Sequence, residues 1–348
     1  MINVGIAGIG FMGMIHYLAY QRLKGVRVRA ICEQDPVRLA GDWRSIKGNF
    51  GPPGQKMDLE GVARYSDLKE LYADGSLDLI DVCLPPSLHA EVAVEALRAG
   101  RHVFCEKPIA LTPGDADRMV KTAKKAGKLL LIGHVLPFFP EYRFAYQTIV
   151  SGKYGNVIGG YFKRVISDPT ATGWLPHFFS PTVCGGPMID LHIHDAHFIR
   201  LIFGMPKSVC TVGRMRGEVA ELFNTQFRFD DPTRFATAAS GTIAQQGRPF
   251  THAYEIYLER ATLLFDSGTG RPGASIPVTV LTNEGRVLQP KLGSGDPVDG
   301  FVAEIQEVLR CVRSNTPSKL LDGQLARDAL VLGHRQTLSL AKGREVRV

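Results

Sequence analysis

Short apolar runs alternate with helical spacing over the first third of the chain, and the rhythm then changes. Ile2–Ala7, Val26–Cys32, Leu77–Leu84, Arg101–Cys105 and Lys128–Gly133 are apolar or β-branched runs of strand length. Between them, Phe11–Leu23 and His89–Ala99 repeat apolar residues at helical intervals, the second stopping at Gly100. A further helix opens at Thr112-Pro113-Gly114-Asp115, where threonine caps, proline suits the first turn and aspartate complements the dipole. Strand–helix alternation predicts a parallel sheet covered on both faces. The Gly/Pro-rich stretch Gly48–Gly54 is a loop. Beyond residue 134 a helix over Glu141–Val150 precedes β-rich runs at Val157–Ile166, Lys207–Arg214, Leu222–Phe229, Ala236–Ala244, Ala253–Leu258 and Thr262–Phe265. Their turn-residue joints predict antiparallel sheet. Helices over Phe301–Arg313 and Gln324–Leu340 close the chain. The predicted class is α/β, with a doubly wound domain over 1–134 and an α+β domain over 135–348.

The first turn carries a specific chemistry. Gly8-Ile9-Gly10-Phe11-Met12-Gly13 follows a predicted strand and opens a predicted helix. The first glycine allows the tight turn, the second lets backbone approach a pyrophosphate, and the third lets helix pack on strand. The helix amino terminus then offers N–H groups to phosphates. Glu33 ends the next strand, where a carboxylate accepts hydrogen bonds from ribose hydroxyls and repels a 2′-phosphate. These features predict a Rossmann dinucleotide site that takes NAD, with Arg38 leaving NADP open.

Two further elements supply groups for proton transfer. Glu106-Lys107-Pro108 follows the Arg101–Cys105 strand, at the sheet edge where ligands sit in open α/β folds. A lysine there donates hydrogen bonds to a substrate oxygen. In Gly185-Gly186-Pro187-Met188-Ile189-Asp190-Leu191-His192-Ile193-His194, a helix started by Pro187 puts Asp190 and His194 on one face. The carboxylate then orients the imidazole, which acts as a general base. His192-Ile193-His194-Asp195-Ala196-His197 also mimics a metal-hydrolase motif, but on a helix His192 and His194 point apart, so no metal is expected. His197 shares the Asp190–His194 face.

Together, Gly8–Gly13, Leu84–His89, Gly100–Pro108, Pro140-Glu141-Tyr142, Gly185-Gly186 with Asp190–His194, and the closing Gly343–Val346 resemble the Gfo/Idh/MocA oxidoreductases. That resemblance implies an NAD-dependent hydride transfer at a hydroxyl-bearing carbon of a sugar, cyclitol or derivative. It implies catalytic roles for Lys107, Asp190 and His194, and places Phe11, Met12, Leu84, Pro85, His89 and Glu106 with Lys107 around the cofactor. A cis Lys107–Pro108 peptide and an open-faced second sheet suited to homodimer or homotetramer contacts are also implied. The chain departs from the family pattern at His192, normally a small residue, and at Pro137, where many relatives carry arginine. Trp174 and His177 in a long loop, and His197 on the Asp190–His194 face, are candidate substrate contacts, and specificity is expected to lie in loops such as 167–185 and 267–275.

Composition narrows the class without identifying a substrate. With 348 residues, 45% of them hydrophobic and 22% charged, the chain is globular and long enough for about two domains. The net charge of +7 favours anionic partners only in general. Its densest run, Lys121–Lys128, reads as the solvated end of a helix, and nothing points to nucleic acid or membrane. Six cysteines without CxxC spacing fit free thiols in a reducing compartment. Glycines interrupt the uncharged stretch over residues 1–21, so it reads as strand, turn and helix rather than an export signal, and the expected location is the cytoplasm. Alternatives on the same fold are an NAD-dependent glycoside hydrolase and a non-catalytic dinucleotide sensor.

Overall fold

The computed structural model describes residues 1–173, 175–268, 275–293 and 296–348. Trp174 and positions 269–274 lie outside the described residues. The chain forms two compact units, Met1–Phe139 with Ser294–Arg327, and Pro140–Gly293 with Asp328–Val348. The first takes back 294–327, a segment that the linear division at residue 134 placed in the second domain.

In the first unit, β1 (Ile2–Ala7), β2 (Val26–Cys32), β3 (Ala63–Tyr65), β4 (Leu79–Val82), β5 (His102–Glu106) and β6 (Leu130–Gly133) form one parallel sheet in the order β3-β2-β1-β4-β5-β6. Helices α1 (Phe11–Gln21), α2 (Pro36–Leu39), α3 (Leu68–Ala73), α4 (Pro86–Arg98) and α5 (Pro113–Ala126) connect the strands. Strand order reverses at the β1–β4 pair, which opens a crevice at the carboxyl ends of those strands. Val4, Ile6, Leu79, Ile80 and Val103 are fully buried, as strands covered on both faces require. The expected cap on α5 is present: the Thr112 hydroxyl accepts the Asp115 N–H at 3.1 Å, and Gly127 closes the helix at φ +63.

Two parts of this unit depart from the sequence reading. The segment around the Gly48–Gly54 loop supplies core without regular structure, since Trp43, Ile46 and Leu59 are buried there. The helix expected over Phe301–Arg313 starts earlier, as α8 (Pro297–Ser314), with the Asp296 carboxylate accepting the Val298 N–H at 2.9 Å. Its Phe301, Ile305, Val308 and Leu309 join Ile15, Tyr17 and Ala19 of α1 in one apolar core.

In the second unit, α6 (Pro140–Val150) leads into β7 (Val157–Ser167). The other strands are β8 (Ser208–Arg216), β9 (Val219–Arg228), β10 (Phe235–Ile243), β11 (Thr251–Leu258), β12 (Ala261–Asp266), β13 (Ile276–Thr282), β14 (Val287–Leu288) and β15 (Val346–Arg347). They make a nine-stranded sheet ordered β14-β13-β12-β11-β7-β10-β9-β8-β15, antiparallel except for β10 beside β7. On β9, Phe223, Thr225 and Phe227 are buried while Asn224, Gln226 and Arg228 are exposed, so one face is covered and the other open. Helix α7 (Ile193–Phe203) contributes Phe198 to the same core, where Tyr142 meets it edge-on at 5.2 Å. The last helix, α9 (Gly323–Lys342), crosses the division between the units at Arg327.

Candidate functional site

The glycine turn is built as a phosphate cradle. Gly8 sits at φ +93, and a Cβ there would meet the Cys83 carbonyl at 2.8 Å. A Cβ on Gly13 would stand 2.1 Å from the Gly8 carbonyl oxygen. A Cβ on Gly10, by contrast, would meet nothing within 4 Å. Gly10 is also the N-cap of α1 and makes no side-chain cap bond, so no capping side chain occupies the first-turn N–H groups. The residues present therefore fit a dinucleotide. The two glycines should separate on mutation. Gly10→Ala should melt like wild type and weaken NADH binding by about tenfold or more, whereas Gly13→Ala should lose about 1–3 kcal/mol of stability as well. Wild-type NADH affinity in Gly10→Ala, read by nucleotide fluorescence, would mean the phosphates lie elsewhere.

Glu33 does more than the sequence suggested. Its carboxylate accepts the Ile9 N–H at 2.8 Å and the Asp35 N–H at 2.9 Å, bracing the turn against the end of β2. A carboxylate has about four acceptor positions, so it retains capacity for ribose hydroxyls. Arg38, which kept NADP open, lies 3.5 Å from Asp35.

At the carboxyl end of β5 the Lys107–Pro108 peptide is cis. The Lys107 N–H donates to Glu106 Oε2 at 3.1 Å, and Lys107 itself is half-buried. His89 is fully buried, its ring nitrogens 2.7 Å from the Pro108 carbonyl and 2.8 Å from the Leu84 carbonyl. It thereby pins the end of β4 to the element that carries Lys107. Burial holds its pKa below the ordinary histidine value, against the pull of the two carbonyls. Leu84 is half-buried and Pro85 is exposed at the start of α4.

Beneath Glu106 lies a buried polar cluster that the sequence reading did not single out. His16 Nδ1 is 2.9 Å from Asp81 Oδ2, which also accepts the Tyr20 hydroxyl at 3.0 Å. Cys83 Sγ stands 3.3 Å from His16 Nδ1 and 3.4 Å from Asp81 Oδ1. His16 Nε2 is 3.0 Å from Glu106 Oε1. Glu304 of α8 is fully buried, and neither of its oxygens has a hydrogen-bond partner among the described residues. The available signal was polarity out of place: an imidazole on the inward face of α1 and an aspartate within a buried strand.

Burial pushes the Glu304 carboxyl well above the usual range, the Glu106 charge adds to this, and His16 opposes it. A carboxyl that ionises near pH 4 in the unfolded chain but not in the folded one weakens the fold as pH rises past that value. Glu304→Gln removes that penalty. Its melting temperature relative to wild type should climb as pH rises above the ordinary glutamate range, because there the unfolded chain releases a proton that the folded wild type keeps. A constant offset at all pH values would contradict a neutral Glu304.

In the second unit, residues 187–191 form a π-helical turn rather than the start of a regular helix. The His192 N–H bonds the Pro187 carbonyl at 2.8 Å, and α7 begins one residue later. Asp190 thus sits on the π turn and His194 in the first turn of α7. Such one-turn bulges recur at functional sites. His197 is fully buried, and His177 is exposed in a turn. His192, the departure from the family pattern, is buried edge-on against Phe223 at 5.2 Å. Burial pushes its pKa down to about 4, so it packs as a neutral ring.

The neighbour of His194 is already committed. Both Asp195 oxygens accept from the buried Arg164 of β7, at 2.7 and 3.1 Å. Asp195 therefore serves the scaffold rather than the metal-hydrolase reading. Among the described residues, the one His/Cys/Asp/Glu grouping close enough for a metal is His16, Asp81 and Cys83, which the contacts above already tie together.

The family model described as an oxidoreductase family with an NAD-binding Rossmann fold matches residues 2–134, and the Gfo/Idh/MocA C-terminal domain model matches 142–264. The chain is 26% identical to myo-inositol 2-dehydrogenase of Thermotoga maritima, across 100% of this chain and 98% of that protein. It is 31% identical to 2,7-anhydro-N-acetylneuraminate hydratase of Mediterraneibacter gnavus, over 65% of this chain and 56% of that one. A levoglucosan dehydrogenase solved in complex with NADH superposes at a TM-score of 0.82 with 20% identity, covering 100% of this chain and 99% of that one. By the matches of its two domains and the architecture they describe, the chain belongs to the Gfo/Idh/MocA family of NAD-binding oxidoreductases.

Proposed function

We propose that the protein catalyses reversible oxidation of a secondary hydroxyl on a cyclitol, sugar or anhydrosugar, with NAD as cofactor. The observation that carries this reading is the Glu106-Lys107-Pro108 element at the carboxyl end of β5, in the same sheet and at the same edge as the open cradle at Gly10. Bound at the glycine turn, NAD supplies the hydride acceptor. Lys107 donates a hydrogen bond to the oxygen as it develops alkoxide character. His194 takes the hydroxyl proton and Asp190 orients its ring. The substrate class follows relatives named myo-inositol 2-dehydrogenase and levoglucosan dehydrogenase. His177 is proposed as a substrate contact and Trp174 is retained on sequence grounds alone, whereas fully buried His197 is not proposed as one.

The test is a panel of cyclitols, sugars and anhydrosugars assayed at 340 nm with NAD and with NADP, with Lys107→Ala as control. NAD should be preferred by about tenfold or more, because an acidic side chain at the end of β2 disfavours a 2′-phosphate on the ribose. A wild type that binds NADH tightly yet oxidises nothing in the panel would favour the dinucleotide-sensor reading. The match to a hydratase favours a second reading, substrate conversion with no net redox change. Product formed under NAD dependence but without accumulating NADH would select it. Cys32, Cys83, Cys105 and Cys311 are buried thiols, which supports a reducing, cytoplasmic location. No helix among the described residues is long and apolar enough to cross a membrane. The open face of the nine-stranded sheet supports a homodimer or homotetramer.

A further inference from the structure

We propose that His16 is a positioning residue for Lys107: its ring, held between Asp81 and Glu106, fixes the Glu106 carboxylate against the Lys107 amide and ties the cofactor helix α1 to the Glu-Lys-Pro element. The proposal rests on Lys107 being the lysine at the reacting centre.

The connection runs through contacts within one unit. His16 lies on α1, whose N-terminus forms the cradle. One ring nitrogen is 2.9 Å from Asp81 and the other 3.0 Å from Glu106 Oε1. The second is an ion pair whose N–H does not point straight at the oxygen, and it is electrostatic in character. The other Glu106 oxygen accepts the Lys107 N–H at 3.1 Å. Glu106 packs over Gly133, where an added Cβ would stand 3.2 Å from Oε1, so a side chain there would press on the carboxylate. Phe104 stacks on the imidazole at 5.2 Å and Phe301 approaches at 6.2 Å, which keeps water out.

A neutral imidazole has one N–H and serves one carboxylate, whereas the imidazolium attracts carboxylates beside both of its ring nitrogens. Burial opposes that charge, but the charges and hydrogen bonds of Asp81 and Cys83 outweigh it and hold the His16 pKa well above the ordinary value. Burial pushes Cys83, Tyr20 and Glu304 all upward. One cation thus stands between two carboxylates, and removing it leaves Glu106 without a counter-charge directly behind Lys107. A metal held by His16, Asp81 and Cys83 would instead need the thiolate, which this burial disfavours.

The test uses the full chain as wild type, His16→Gln, and His16→Gln with Asp81→Asn, which also removes one of the carboxylates. NADH affinity should stay within about threefold, because the cradle is untouched. With a substrate that wild type turns over, kcat should fall about tenfold or more while KM stays within about twofold, the signature of a lost transition-state contact. Acetic anhydride labelling, read by mass spectrometry, should modify Lys107 about threefold faster while exposed Lys124 is unchanged, as expected for a loosened loop. In a folded variant, unchanged Lys107 labelling or a KM effect without a kcat effect overturns the proposal. In wild type, histidine nitrogen NMR should show both His16 nitrogens protonated at pH 7. A neutral His16 overturns the proposal even if no variant folds. If wild type turns over no substrate, the functional reading fails, and the labelling and NMR arms still decide this one.

Discussion

Lys107→Ala and His194→Ala should each lower kcat by about 10²- to 10⁴-fold, the usual worth of a positioned proton-transfer or oxyanion-stabilising group. Melting temperature should change little in Lys107→Ala, since its half-buried side chain is not part of the core. The double variant discriminates more sharply than either single. Groups that act on one transition state are strongly non-additive, so Lys107→Ala with His194→Ala should be little worse than the weaker single variant. Full multiplicative loss in the double would mean the two residues serve separate steps. Lys107 comes from the first unit and His194 from the second, so coupling between them would be kinetic evidence for one shared substrate. His194→Asn then serves as a volume control, as it retains polarity without a titratable base.

The first unit was largely legible because its signals are local. Strand Ile2–Ala7 is bounded as expected, and β2 matches residue for residue. Continuous apolar runs mark strands covered on both faces, and glycine spacing marks the turn between them. The three-residue β3 escaped notice because it has no fully buried residue and no apolar run to mark it. The α8 helix was found, but its place was not. An amphipathic stripe shows that a helix is covered, not by which unit, and here Phe301 and Ile305 pack with α1, far earlier in the chain.

Chemistry was less legible than fold for the same reason. Glu33 was read for the ribose alone, yet its oxygens also brace the Ile9 and Asp35 amides, a contact that depends on how β1 and β2 pair. Asp190 and His194 were placed on one regular helix because spacing alone cannot show a π turn; that turn depends on which carbonyl the His192 N–H reaches. His16, Asp81 and Glu106 come from three elements, and no spacing rule connects them. A buried polar residue is informative in sequence only once its neighbours are known.

Arg164→Met should destabilise the second unit by about 3–5 kcal/mol, because it leaves the Asp195 carboxylate buried and charged without its partner. Arg164 and Asp195 are 4% and 1% exposed, so water cannot substitute. The flanking imidazoles carry no charge while Arg164 is in place. Burial, with Arg164 adding, pushes His252 down to about 3, and His192 is held at about 4, so both are neutral at physiological pH. Replacing both partners, Arg164→Met with Asp195→Leu, should recover most of the loss, since apolar groups of similar volume carry no desolvation penalty. Thermal or urea unfolding reads both variants, and a double as unstable as the single would show that the pair contributes packing rather than charge. Function should not follow stability back. The bidentate pair fixes the first turn of α7 against β7, and that turn carries His194. A Met–Leu contact is non-directional and leaves the turn free to rotate by a few tenths of an ångström, so the double should remain slow in kcat after its melting temperature is restored.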